Sequence, residues 1–173
     1  MNFEICYNFM LDNEDRLRLY KTVPDSPEGA FAISGINSAS FPAQFNIINA
    51  IPQNQRGLAI EEFYREHFWN DYFEQINSVD LVMRVFDSCV NMGKGEGIIL
   101  LQTAINSCIP NLTSVDGGLG PHTDAAANEV IANSSFDLVA EFKTTRAQFY
   151  KNLVIKNPDD EKYLTGWLAR AMK

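Results

Sequence analysis

Histidine is nearly absent from this chain. His67 and His122 are the only two, and they lack metal-ligand spacing, so no metal site is expected. Cysteine is equally sparse. Cys6, Cys89 and Cys108 make an odd number without paired spacing, and each falls in or beside an apolar helical stripe, which supports buried free thiols. Basic residues are outnumbered, with 14 Lys and Arg against 22 Asp and Glu and a formal net charge of -8. Nucleic acid is therefore not an expected partner, because binding phosphates calls for a basic face. No apolar run approaches the roughly 20 residues that span a bilayer, so no membrane span is expected. The opening Met1-Asn2-Phe3-Glu4 lacks the basic region and apolar block of a secretory signal. The chain is accordingly expected to be made and folded in the cytosol. Internal repeats, low-complexity linkers and Gly-rich phosphate loops are missing too.

What is present suits a globular protein. Hydrophobic residues make up 46% and charged residues 21% of 173, enough for one domain with an apolar core. Phe3, Cys6, Tyr7, Met10 and Leu11 recur at helical spacing, and Glu14 occupies the next place in that series. The period stops between Arg16 and Asn37, where Pro24, Pro27 and Gly29 punctuate the chain and Phe31-Ala32-Ile33 suits a short strand. Helix then returns. Pro52 suggests a start, followed by a stripe of Ile60, Phe63, Tyr64, His67 and Phe68. Ser78 reads as an N-cap for Val79 to Val90, with Gly93 as the stop. Ile98 to Ile105, a helix opened by Pro121, a long one opened by Ser135 and Asp137, and a last one opened by Asp159-Asp160 complete the pattern. About seven helices with a small irregular or β lobe near residues 17–37 make a mainly α, α+β domain. A boundary near residue 75 would separate two lobes, 1–75 and 76–173, of that domain.

Glu14 is the residue most suggestive of chemistry. It stands at the C-terminal end of the first helix on the side of the apolar stripe. Partial burial and the negative pole of the helix both favour the neutral form of a carboxyl there. A carboxylic acid that keeps its proton is what a glycosidase uses to protonate a leaving sugar oxygen. The alternative is an exposed last-turn residue paired with Arg16 or Arg18. Asp87 and Asn91, spaced i,i+4, flank a stripe and could face a groove together, or serve helix packing. Asp116-Gly117-Gly118 lacks the alternating acids of a calcium loop and reads as a tight turn. Trp69 and Trp167 sit in apolar helical patterns and read as internal packing.

The order of several motifs resembles glycoside hydrolase family 108, the lysozyme-like family of phage endolysins and bacterial secretion activators. Phe86-Asp87-Ser88-Cys89-Val90-Asn91-Met92-Gly93 resembles its Phe-Asp-x-x-Val-Asn-x-Gly pattern. Leu101-Gln102, Asp116-Gly117-Gly118-Leu119-Gly120-Pro121-His122-Thr123, Arg146 with Phe149-Tyr150, and Gly166-Trp167-Leu168-Ala169-Arg170 follow in the family's order. This second half is similar to the predicted peptidoglycan-binding region of that family. In the first half, the family's Glu-Gly-Gly signature stands here as Glu14-Asp15-Arg16, and Gly35-Ile36-Asn37 approximates its Tyr-Gly-Ile-Thr segment.

The resemblance implies a lysozyme-like domain whose first lobe, 1–75, is catalytic. It implies an N-acetylmuramidase that cuts between N-acetylmuramic acid and N-acetylglucosamine, with Glu14 as general acid. Asp25, in the irregular lobe, is the better candidate for a second carboxylate that holds the attacking water. Asp12 and Asp15 are expected to point elsewhere. Asp87 and Asn91 would line the substrate groove or brace the segment carrying Glu14. Peptidoglycan is the implied partner, no cofactor is implied, and release to the wall would need a holin-like pore or host lysis. The replaced glycines leave a second reading open, a homologue that binds peptidoglycan or assists secretion without cutting.

Overall fold

A computed structural model describes residues 2–173. Eight α-helices and one three-stranded antiparallel sheet are found among them, a mainly helical architecture with a small β lobe. The chain divides into two compact units, Phe3–Trp69 and Asn70–Lys173.

In the first unit, α1 (Asn2–Glu14) buries Phe3, Cys6, Tyr7, Met10 and Leu11, the stripe its sequence spells out. Its last turn closes when the Asp15 amide donates to the Leu11 carbonyl at 2.7 Å. The sheet consists of β1 (Thr22–Asp25), β2 (Ala30–Ile33) and β3 (Ile36–Asn37) in that order. Thr22 pairs with Ile33 and Asp25 with Ala30 across the first hairpin, and Ile33 pairs with Ile36 across the second. The second hairpin turns on two residues, Ser34 and Gly35, at φ 48° and 85°. Positive φ at both central positions gives a turn whose twist matches the strands it joins. Ala32, Ile33 and Ile36 face the core while β1 lies wholly exposed.

Two helices complete this unit, α2 (Pro42–Ala50) and α3 (Gly57–Phe68). Pro52 does not open a helix of the core. It precedes a single 3-10 turn, Gln53–Gln55, and α3 starts at Gly57. The stripe of α3 is the expected one, with Ile60, Phe63, Tyr64 and Phe68 buried.

The second unit begins with a 3-10 turn at Asp71–Glu74 and continues with α4 (Val79–Met92), α5 (Lys94–Cys108), α6 (Pro121–Ala132), α7 (Leu138–Lys156) and α8 (Glu161–Met172). Ser78 caps α4, its side chain accepting from the Leu81 amide, and Asp137 caps α7 in the same way through the Ala140 amide. α4 ends at Gly93, where φ of 97° lets the chain reverse directly into α5. The two helices approach closely at Gly97, where a β-carbon would lie 2.6 Å from the Cys89 amide nitrogen. None of the three cysteines is in a disulfide, and Cys6 and Cys89 are buried.

Candidate functional site

α1 delivers its terminal residues to the rim of the sheet. There an open cleft of about 310 Å³ is lined by Glu14, Asp15, Lys21, Asp25, Ser34 and Gly35, together with apolar groups of β1 and its approach. Glu14 is half-buried. Its carboxylate rests on the backbone of the second hairpin turn. A β-carbon on Gly35 would come within 2.7 Å of Glu14 Oε2 and 2.8 Å of the Tyr64 hydroxyl oxygen. Gly35 thus makes the room in which an acid and a phenol converge, and its positive φ keeps larger residues out. Tyr64 is fixed in turn, its hydroxyl donating to the Ser34 carbonyl at 2.7 Å in a buried position.

Asp25 lies on the same cleft, at the exposed end of β1. Asn37 of β3 donates to its Oδ2 at 2.8 Å and to the Ser26 carbonyl at the same distance, so the carboxylate is held rather than free to sweep. The structure therefore brings Glu14 and Asp25 together from segments that the sequence keeps apart.

Asp15 belongs to this site as well. Its carboxylate accepts from the Leu19 amide at 3.0 Å, the Tyr20 amide at 2.7 Å and the Ser34 hydroxyl at 2.8 Å. One side chain ties the loop after α1 to the hairpin turn beside Glu14. Nothing in the local sequence announces this, because the acceptor geometry reaches four and five residues ahead and then across 19 residues to another element. Arg56, 7% exposed, is a second such tie. It donates to the carbonyls of Ile51, Tyr20 and Asn49, and to the side chains of Thr22 and Asn49. The approach to β1 at Tyr20 and Thr22 is thereby tied to the C-terminal end of α2.

Asp87 and Asn91 occupy the second unit, where Asp87 is fully buried. Its Oδ2 accepts from Arg146 of α7 at 2.8 Å and from Arg170 of α8 at 3.0 Å, and its Oδ1 accepts from Arg170 at 2.7 Å. Arg146 reaches the hydroxyl of Tyr150 at 3.2 Å, and that hydroxyl donates to Asn91 Oδ1 at 2.5 Å. The exposed Asn91 is the outer end of a chain of polar contacts that Asp87 anchors inside. Trp167 stacks on Tyr150 with ring centroids 5.3 Å apart, part of the internal packing expected of it.

Residues 96–172, from α5 to α8, match the sequence model of a family described as "Predicted Peptidoglycan domain". No curated protein matches the chain. Among solved structures, SagA of Brucella abortus is similar, with a TM-score of 0.65 over 98% of this chain and 93% of that chain. At 16% identity that likeness establishes a shared fold.

Proposed function

We propose that this protein is a peptidoglycan hydrolase of the N-acetylmuramidase type, with Glu14 as its general acid. Glu14 would protonate the glycosidic oxygen between N-acetylmuramic acid and N-acetylglucosamine while a water held by Asp25 attacks the anomeric carbon. The observation that carries this reading is the meeting of Glu14 and Asp25 on one open cleft, with Gly35 clearing space at the acid. Two supported carboxylates beside an accessible trough are the equipment that glycoside hydrolysis uses. The match of residues 96–172 to a predicted peptidoglycan domain supports the same polymer as partner. In this reading Asp87 acts from inside the second unit by holding α4, α7 and α8, and Asn91 is its surface outlet. Synthesis in the cytosol and release through a holin-like pore or lysis follow from the resemblance to endolysins.

A second reading, binding without cutting, draws on Asp15 and Arg16 standing where the resembled family has glycines. Digestion of purified sacculi separates the two. Borohydride reduction of the products is expected to yield muramitol at the new ends. Glucosaminitol or 1,6-anhydromuramic ends would replace the muramidase by another glycan-cutting class, and retention of the protein on uncut sacculi would leave the binder.

A further inference from the structure

A cavity of the second unit lies in the long connection between α5 and α6. It measures about 790 Å³ and is bordered by residues of the segment 111–123. That is the size of a site for a drug-sized ligand. The connection has no regular structure of its own, yet it is tied down by two side-chain amides one turn apart on α5. Gln102 is fully buried. Its Nε2 donates toward Asp116 Oδ1 at 2.8 Å, the Gly118 carbonyl at 3.0 Å and Thr123 Oγ1 at 3.2 Å. Its Oε1 accepts from the amides of Asp116 and Gly117 at 3.0 and 2.9 Å. Asn106 exchanges a reciprocal pair with the backbone of Thr113 at 2.8 and 3.0 Å. Gly117, at φ 75°, seats the loop so close to α5 that a β-carbon there would meet the Gly95 carbonyl at 3.1 Å.

This scaffold presents one charged group. Asp116 Oδ1 is taken by Gln102 and by the Gly118 amide at 2.8 Å, while no donor among the described residues engages Oδ2. The hydrogen bond from Gln102, followed by that from Gly118, holds the Asp116 carboxyl below its ordinary range, so it stays ionised. Among the described residues no Lys or Arg borders the cavity, and apart from the His122 imidazole no aromatic ring does. Its apolar borders are Leu112, Leu119 and Pro121. A trough without Trp or Tyr lacks the platform on which sugar rings stack. A fixed anion beside small apolar surfaces, on an exposed loop, matches the ammonium group and alanine methyls of a short peptide whose carboxylates stay in solvent.

We propose that this cavity binds the stem peptide of peptidoglycan, with Asp116 Oδ2 receiving the free amine on the side chain of the stem's third residue. The proposal rests on the peptidoglycan reading above and adds a site separate from the Glu14 cleft. The stem's alanine methyls lie against Leu112, Leu119 and Pro121, and the neighbouring hydroxyl of Thr113 meets its peptide groups.

The test is a titration of the intact protein, followed by NMR, with a synthetic stem tetrapeptide. Its N-terminus is acetylated and its third residue is lysine with a free side-chain amine. Saturable shifts confined to residues 111–123 are expected, with affinity falling at least about tenfold when that amine is acetylated, or in Asp116→Asn. Asp116→Asn keeps the Oδ1 acceptor for Gln102, and the acetylated peptide tests the charge on the unaltered protein. Equal affinity for both peptides, no binding, or shifts produced only by peptide-free glycan strands would overturn the proposal. Failure of the glycosidase reading would show on glycan alone and leave the peptide titration to stand or fall separately.

Discussion

Asp15 shows how much one residue can decide here. The loop that follows α1 holds Arg18 and Tyr20 at φ 49° and 52°, and Ser34 across from it sits at 48°. Left-handed conformations of this kind cost non-glycine residues on the order of 1 kcal/mol each. The three hydrogen bonds to the Asp15 carboxylate offset that strain and set the wall against which Glu14 rests. Asp15→Ala is therefore expected to lower stability by about 2 kcal/mol in urea unfolding. On the proposed reading it should also depress turnover on sacculi beyond that loss, because the Asp15 ties hold the turn beside Glu14, while Asp15→Asn should retain part of both. Unchanged turnover in a folded Asp15→Ala protein would remove the positioning role. Cys89 gives a residue-scale pH dependence. Burial pushes its thiol from an ordinary value of 9.0 up to about 12. The native state keeps this proton where the unfolded chain loses it, so the stabilising contribution is complete below pH 9 and is lost progressively between pH 9 and 12. Urea midpoints measured across that range should fall, and fall less steeply in Cys89→Ala. The place of Glu14 at the half-buried end of α1 is legible in the sequence because it continues an apolar period. Asp15 is not legible in this way, since its partners are the backbone amides of Leu19 and Tyr20 and the hydroxyl of Ser34, 19 residues away.

At the scale of elements, the helices with a clean stripe were readable and the polar ties among them were not. α1, α3 and α4 announce themselves by apolar spacing, and Ser78, Gly93, Pro121 and Asp137 mark helix boundaries where the sequence reading placed them. α2 escaped because it is nine residues long and buries only Phe45 and Ile48, too few for a period to register. Asp87 is the plainest case of a motif whose meaning depends on distant elements. Its i,i+4 spacing with Asn91 suggested a shared groove, while its carboxylate is clamped by arginines 59 and 83 residues away. A buried carboxylate that neutralises two guanidinium groups is costly to delete, because each arginine is left without its counter-ion. Asp87→Ala is expected to destabilise the protein by about 3 to 5 kcal/mol, read as a lower urea midpoint, with Asp87→Asn less severe. A loss under 1 kcal/mol would show that α4, α7 and α8 do not depend on the clamp.

For the whole molecule, the two compact units bear different parts of the account. The first holds the carboxylates and the sheet that could work on a glycan, and the second holds the segment that matches a predicted peptidoglycan domain. The mainly helical class with a small β lobe was within reach of the sequence, since helical period and its interruption near residues 17–37 are both local signals. How α1 and β1 would share a cleft was not, because Glu14 and Asp25 meet through hairpin geometry and through a turn that only Gly35 permits. Net charge adds no attraction to an anionic wall, so recognition in this account depends on fitted sites rather than on long-range steering. The central claim is that Glu14 donates the proton that breaks a glycan bond. The release of reducing ends from purified sacculi by the native protein and by Glu14→Gln, with folding of both checked by circular dichroism, tests it most directly. The account predicts steady release by the native protein and a loss of at least about a hundredfold in the variant. Equal release by the two folded proteins would contradict it.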